Sequence, residues 1–309
     1  MNIAIIGTGP SAFYTVQSLI KENKNIKIDL FLKLPAPYGL VRYGVAPDHQ
    51  KTKNIIRLFS KYLNENDINY YGNIEIGKDL DINLIAQYYD AVIVSSGAPE
   101  DKKLNLLEND NANIFGSSEF VGWYNGVPKF STVSPDLSHK NAVIIGNGNV
   151  ALDCVRILSK TTTEFHNSDI MYYALNHLKT SKIENIYVIG RRTPRDAKFT
   201  IAELRELGEL NNFYPQVEYG LNHLEKILSD ESIDTKVKKN IEVLINFKKN
   251  KNNNKKKIIF KFLRSPIKID YINGTKHILF KVNKLINNKL IETQETISIE
   301  VGLVITAIG

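Results

Sequence analysis

The chain is poor in residues that could staple or metallate it. Cys154 is its single cysteine among 309 residues, so no internal disulfide forms and a C-x-x-C redox pair is excluded. The thiol falls in a helix-like stretch, where free cysteine is most often buried. The six histidines show no metal-ligand spacing. Apolar residues make up 43% of the chain, yet no run approaches the ~18 residues of a membrane span, so no transmembrane segment is expected. No signal or transit peptide is expected ahead of the first strand, which opens at Asn2 or Ile3. No short-period repeat is present. Zinc spacings and RNA-binding motifs are also missing. The net charge of +7 therefore suits an acidic protein or a polyanionic ligand better than nucleic acid. Six of the lysines lie in the Asn/Lys tract 246–257, which reads as a solvated loop.

Two stretches stand out instead. Val143-Ile144-Ile145 runs into Gly146-Asn147-Gly148-Asn149-Val150-Ala151 and then a helical pattern. This is the strand–turn–helix of a dinucleotide site. Gly146 permits the tight turn, Gly148 lets a pyrophosphate approach the backbone, and the small Ala151 lets the helix pack on its strand. The helix N-terminus offers free N–H groups to the anion. A second copy opens the chain: Ile3–Ile6, then Gly7-Thr8-Gly9-Pro10-Ser11-Ala12, a helix over Phe13–Lys21 and a strand over Ile26–Leu32.

The two copies differ at the end of the next strand, where an acid ordinarily holds a ribose diol. In the first copy Leu32 and Lys33 stand there, and Asp29 comes three residues too early. In the second, Asn185–Ile189 ends in Gly190-Arg191-Arg192. A guanidinium pair suits a phosphate rather than a diol, so this site should prefer NADP over NAD.

Between the copies, Pro35–His49 reads as a structured loop, Lys51–Leu63 as an amphipathic helix, Tyr70–Ile76 as a strand with Gly72 as a bulge, Asp81–Tyr88 as a short helix and Ala91–Gly97 as a buried strand. Residues 99–110 read as a linker and Glu119–Pro128 as a packed turn. Beyond, residues 161–182 read as an inserted helical segment, Phe199–Leu210 and 221–245 as helices, and Ile258–Phe262, Ile278–Val282 and Glu295–Ile299 as antiparallel strands. Val301–Gly309 reads as a final strand. The fold class is α/β, with two Rossmann-like units.

The series GTGPSAFYT (7–15), PYGLVRYGVAPDH (37–49), FVGWYNG (120–126), GNGNVALD (146–153), GRR (190–192), FTIAELRE (199–206) and FLRSP (262–266) closely resembles the adrenodoxin reductase family, the NADPH:ferredoxin oxidoreductases of mitochondria and their bacterial relatives. The resemblance implies two three-layer ββα domains, with the NADP domain inserted into the FAD domain. Residues 1–100 would begin the FAD domain, 101–300 would form the NADP domain, and 301–309 would start a C-terminal FAD segment. It also implies hydride transfer from NADPH to FAD, then single electrons to an acidic ferredoxin or adrenodoxin-type iron–sulfur protein, in a mitochondrial monomer. FAD contacts would fall at Gly7, Gly9, Ser11, Ala12, Leu40 and Ile76, with Leu32 in place of the family's ribose-binding glutamate. NADP contacts would fall at Gly146, Asn147, Gly148, Asn149, Val150, Arg191, Arg192 and Glu203, with Asn147 replacing a glutamine. His49 and Asp153 match a His–Asp pair joining the two cofactor sites, and Lys236, Lys238 and Lys239 fall in the family's ferredoxin-docking region. The family continues past the strand matching VITAIG, so the chain resembles a C-terminally truncated member. Two other readings stand beside it: a flavoprotein subunit like the small subunit of glutamate synthase, and a non-catalytic nucleotide-binding fragment.

Overall fold

A computed structural model describes every residue except 24, 66, 99, 103, 105, 107–112, 250–255, 287 and 288. The described residues divide into two compact units. The first is Met1–Glu100 with Val121–Ser131 and Asn167–Met171; the second is Asp101–Phe120, Thr132–His166 and Tyr172–Gly309.

In the first unit, β1 (Asn2–Ile6), β2 (Lys27–Leu32), β3 (Ile68–Gly72) and β4 (Ala91–Val94) form a parallel sheet in the order β3-β2-β1-β4. Such a sheet is covered on both faces, and its strands carry apolar residues to both. Ile3, Ile5, Ile28 and Leu30 pack beneath the helix Pro10–Glu22 and the helix Ile55–Glu65. Phe13 stacks on Phe59 at 4.6 Å between ring centroids, which ties those helices together. On the other face Ala4 and Phe31 meet Ile85 of the helix Ile82–Tyr88. Asp81 caps that helix through the N–H groups of Asn83 and Leu84, satisfying donors that a helix start leaves open. The helix expected over 51–63 is broken at Asn54 into Gln50–Lys53 and Ile55–Glu65. The strand expected over 70–76 stops at Gly72, and Ile76 makes only an isolated bridge to Leu80. The stretch 119–128 is no turn: Ser117–Asn125 is a helix that buries Phe120, Val121, Trp123 and Tyr124.

The second unit holds β5 (Ile114–Gly116), β6 (Asn141–Ile145), β7 (Asn185–Ile189), β8 (Phe213–Glu218), β9 (Lys256–Lys261), β10 (Arg264–Ile272), β11 (Thr275–Ile286), β12 (Lys289–Glu300) and β13 (Leu303–Thr306). Six of these form a parallel sheet in the order β5-β13-β6-β7-β9-β8, and β10-β11-β12 form an antiparallel meander. Ile269, Ile278, Phe280 and Ile299 of the meander share one core with Val143, Ile145, Ile189 and Val304 of the parallel sheet. The helix Asn149–Ser159 is buried from Ala151 through Ser159.

Three expectations need correction here. The stretch 258–262 pairs in parallel between β7 and β8 rather than joining the antiparallel strands. The edge strand β8 went unforeseen, and residues 264–272 form a strand too. Residues 301–309 do not open a further segment of the first unit. All four residues of β13 are buried, and the strand pairs in parallel with β5 and β6 in the middle of the second sheet. The lysine tract expected as a loop is helix to Lys249 and strand from Lys256, while 250–255 and much of the 99–110 linker lie outside the described residues. Among the described residues no helix is long and apolar enough to cross a membrane.

Candidate functional site

Both fingerprint turns are built alike. Gly7 has φ +112°, and a Cβ there would lie 2.2 Å from the backbone oxygen of Ser95, just beyond β4. Gly146 has φ +145°, and a Cβ there would lie 2.1 Å from the backbone oxygen of Ala307, just beyond β13. Only glycine fits either position, by conformation and by space. Gly9 and Gly148 are the N-cap residues of the two following helices. Neither helix has a capping side chain or an acid in its first turn. A Cβ at either glycine would meet nothing within 4 Å. Each turn thus presents uncapped N–H groups, the positive end of a helix dipole and open space above the backbone, which is what a pyrophosphate needs. Ala12 and Ala151 are fully buried and let each helix lie close to its sheet.

Unsatisfied polar atoms mark the same places. The Thr8 and Ser95 hydroxyls at the first turn, and the Asn147 amide oxygen at the second, are buried without a hydrogen-bond partner among the described residues. A buried polar atom without a partner is costly, and a ligand that bonds these atoms relieves that cost. The residues present therefore fit a dinucleotide at each turn.

Around the first turn, the loop foreseen at 35–49 is laid across the fingerprint. Tyr38 donates its N–H to the oxygen of Thr8 at 2.9 Å. Gly39 comes so near that a Cβ there would sit 2.7 Å from the Cα of Gly9. Leu40 is 69% exposed, an apolar side chain turned outward beside the turn. Ser11 is exposed, and Ile76 is half-buried against the Phe31 cluster. Leu32 ends β2 opposite Gly72. Asp29 lies three residues before the place of the ribose acid, and its carboxylate accepts hydrogen bonds from Asn69 at 2.8 Å and Tyr89 at 2.5 Å.

His49 takes the N-cap position of Gln50–Lys53, where its carbonyl accepts the N–H groups of Thr52 and Lys53. What fixes that turn is Lys53, which sequence reasoning missed. Its ammonium, on a side chain 4% exposed, contacts both oxygens of Asp169 at 2.8 and 2.9 Å and Asn125 Oδ1 at 3.3 Å. Asn125 Nδ2 donates to the carbonyls of Tyr43 and Val45, and Gln50 Nε2 to Pro47 and Asp169. Burial pulls the Lys53 pKa below its ordinary value, against the opposing hydrogen bond and charge of Asp169. A lysine beside a loop gives no sequence signal of burial.

In the second unit the turn after β6 and the arginines after β7 lie at the same, C-terminal end of the sheet, because those strands are parallel neighbours. The backbone of the arginine pair is pinned by Asn283 Nδ2 to the Arg191 oxygen and by the Leu263 N–H to the Arg192 oxygen. Both side chains are exposed, and Arg192 lies 3.6 Å from Asp196. A Cβ at Gly190 would overlap the Asn147 amide, so that side chain would have to shift. Asn147 accepts the N–H groups of Lys198 and Phe199 through its backbone oxygen, and Asn149 Oδ1 accepts the Thr200 N–H at 2.7 Å. Val150 is 44% exposed at the start of the helix.

Asp153 and Glu203, taken separately from the sequence, meet on one guanidinium. Arg156 donates to Asp153 Oδ1 at 2.7 Å and to Glu203 Oε2 at 3.0 Å, and lies 3.3 Å from Glu206 Oε2. Its signal was present in the sequence: a charged i, i+3 pair inside the otherwise apolar run VALDCVRIL. His49 belongs to the first unit and Asp153 to the second. Lys236 and Lys239 are exposed and Lys238 half-buried, all in the first turns of the helix Thr235–Lys249.

No family model matches the chain. The solved structure of FprA, a Mycobacterium tuberculosis oxidoreductase, superposes with a TM-score of 0.93 at 36% identity, covering all of this chain and 70% of that one. The mitochondrial NADPH:adrenodoxin oxidoreductase of Salvelinus fontinalis is 33% identical over 330 residues, covering 99% of this chain and 65% of its own length. The NADPH-ferredoxin reductase FprA of M. tuberculosis is 37% identical over 294 residues, covering 93% of this chain and 64% of its own. The chain thus spans just under two thirds of the length of these curated relatives. It belongs to the family of FprA and the NADPH:adrenodoxin oxidoreductases.

Proposed function

We propose that the chain is the nucleotide-binding part of an FAD-dependent reductase that passes electrons from NADPH to a ferredoxin-type iron–sulfur protein. The observation that carries this reading is the open, uncapped turn after β6 at the same end of the sheet as Arg191 and Arg192. The helix start takes the pyrophosphate and the two guanidiniums take the 2′-phosphate, which NADP has and NAD lacks. In the first unit Gly7, Gly9, Thr8, Ser11 and Ser95 offer backbone and hydroxyl contacts to FAD, with Leu40 and Ile76 as apolar surface. FAD, when bound, supplies the conversion between the two-electron chemistry of NADPH and the one-electron chemistry of an iron–sulfur centre. His49 is assigned an orienting and proton-linked role. The NADP unit is read as an insertion into a discontinuous FAD domain, a reading supported by the return of Val121–Ser131 and Asn167–Met171 to the first unit.

The partner surface proposed is the start of the helix Thr235–Lys249. Three lysines in its opening turns oppose the helix dipole, a placement that costs stability. An acidic partner would offset that cost. Leu32, with Asp29 engaged elsewhere, favours a second reading of the same chain, in which NADP is the nucleotide it holds better.

The test is an absorbance spectrum of the purified chain after incubation with FAD, followed by titration with NADP⁺ and NAD⁺. Flavin bands that stay with the protein and a clear preference for NADP⁺ are expected. A colourless protein that still prefers NADP⁺ supports the second reading. A protein with no preference between the nucleotides overturns both.

A further inference from the structure

We propose that Arg156 is a positioning residue of the second nucleotide site, fixing Asp153 and Glu203 on two helices and offsetting their charge beside an anion site. The inference rests on the reading of that unit as the NADP site.

Arg156 is 1% exposed and sits in the helix that begins at the fingerprint. A buried guanidinium is costly unless its donors are matched by acceptors. Here three carboxylates meet it: Asp153 from its own helix, and Glu203 and Glu206 from the helix Ile201–Glu206. The segment leading into that second helix is already bonded to the fingerprint. Lys198 and Phe199 donate to the Asn147 oxygen, Thr200 donates to Asn149, and Asn240 Nδ2 donates to the Phe199 oxygen. Arg156 makes the corresponding tie farther along, so residues 198–206 are fixed to the fingerprint helix at both ends.

Charge gives the tie its functional weight. Asp153 lies little more than one turn from the start of its helix, the end that must receive a pyrophosphate. Three carboxylates without a cation would oppose that anion through a partly desolvated medium, where screening is weak. The planar fork of arginine reaches acceptors on both helices at once. Lysine carries the same charge as a single point and makes fewer of these contacts.

The experiment measures dissociation constants for NADP⁺ and NAD⁺ by titration calorimetry, and unliganded thermal midpoints, in the unsubstituted chain, Arg156→Lys and Arg156→Met. Arg156→Gln, polar but uncharged, replaces Arg156→Met should that variant not fold. The uncharged variant should lose affinity for both nucleotides alike, by roughly tenfold or more, with the NADP⁺/NAD⁺ ratio kept because Arg191 and Arg192 are untouched. Arg156→Lys should recover part of the loss, because it restores the charge but fewer of the contacts. A folded uncharged variant that binds NADP⁺ within twofold of the unsubstituted chain overturns the proposal. So does a lysine variant no better than the uncharged one, which would mark Arg156 as a scaffold residue alone. Failure of the unsubstituted chain to bind NADP⁺ is a separate result and takes the reading of the site with it.

Discussion

Gly146 and Gly148 stand two residues apart and should fail in opposite ways. At Gly146 a methyl group meets both a positive φ of +145° and the Ala307 carbonyl at 2.1 Å. The conformational strain is about 1–2 kcal/mol, and displacing a backbone oxygen held in a packed sheet adds about 1–3 kcal/mol. Gly146→Ala should therefore cost about 2–5 kcal/mol, a fall in Tm of roughly 5–15 °C for a unit of this size. Gly148 has φ −108° and open space around its Cβ position. Gly148→Ala should cost under about 1 kcal/mol, the ordinary difference between these residues at an N-cap. The new methyl fills the space a pyrophosphate would use, so the NADP⁺ affinity should fall by roughly tenfold or more. Calorimetric melting of the unliganded variants and titration with NADP⁺ separate the two effects. A Gly146→Ala variant that melts with the unsubstituted chain would refute the packing of residue 307 against the turn, and with it the place of β13 in the second sheet. A Gly148→Ala variant that binds NADP⁺ normally would refute the turn as the anion site.

Other substitutions test other parts of the molecule. Arg191→Ala with Arg192→Ala should weaken NADP(H) relative to NAD(H) by about 2–4 kcal/mol, the worth of two charge-assisted contacts, and unchanged discrimination in paired titrations would remove the 2′-phosphate assignment. Leu32→Glu should tighten FAD by about 1–3 kcal/mol, as one charged hydrogen bond to a ribose does, read from flavin fluorescence on titration. Burial pushes the Cys154 thiol far above its usual range, so a thiol reagent at neutral pH should label nothing in the folded chain and one group after denaturation. Lys53 has a folded pKa below its unfolded value near 10.5, so the folded state binds this proton less tightly. Stability referable to this group should rise with pH between the two values, and Lys53→Met should flatten that rise in chemical-denaturation curves.

The parts of the fold legible in the sequence are those fixed by local chemistry. A glycine that must adopt a left-handed φ, a second that leaves room above the backbone and an alanine beneath a helix occupy set places in the turn, so both fingerprints could be read to the residue. The helix Ser117–Asn125 could not. Phe120, Val121, Trp123 and Tyr124 are buried, and a helix buried around most of its girth shows no amphipathic period. The final strand was recognised as a strand but given to the wrong sheet, because a short apolar run ending in glycine specifies burial on two faces and no particular neighbour. Its partners are set by pairing across some 160 residues, Val143 with Val304. The strand 213–218 has Pro215 within it, which argues against a central strand and is tolerated at the sheet edge that β8 forms. Site residues followed the same division. Arg191 and Arg192 were visible from their position after a strand. Lys53 acts through Asn125 and Asp169, far away in sequence, and Arg156 ties the neighbouring Asp153 to the distant Glu203 and Glu206.

The two turns share their glycines, their uncapped helices and their carbonyl contacts, so any difference in what they hold comes from the strands beside them. The second turn adds two exposed guanidiniums to the roughly half charge of its helix dipole. The first adds none, and the lysine at its strand end, Lys33, lies 4.0 Å from Glu75. Asp29, earlier in the same strand, is held by Asn69 and Tyr89. Binding at the first turn must therefore come from enclosure: the Tyr38–Gly39 loop laid on Gly9, the buried Thr8 and Ser95 hydroxyls, and apolar surface such as Leu40. Enclosure depends on how many walls the site has, whereas a guanidinium clamp depends on two side chains. Loss of a wall therefore weakens the first turn more than the second, and of the two nucleotides FAD should be the more easily lost.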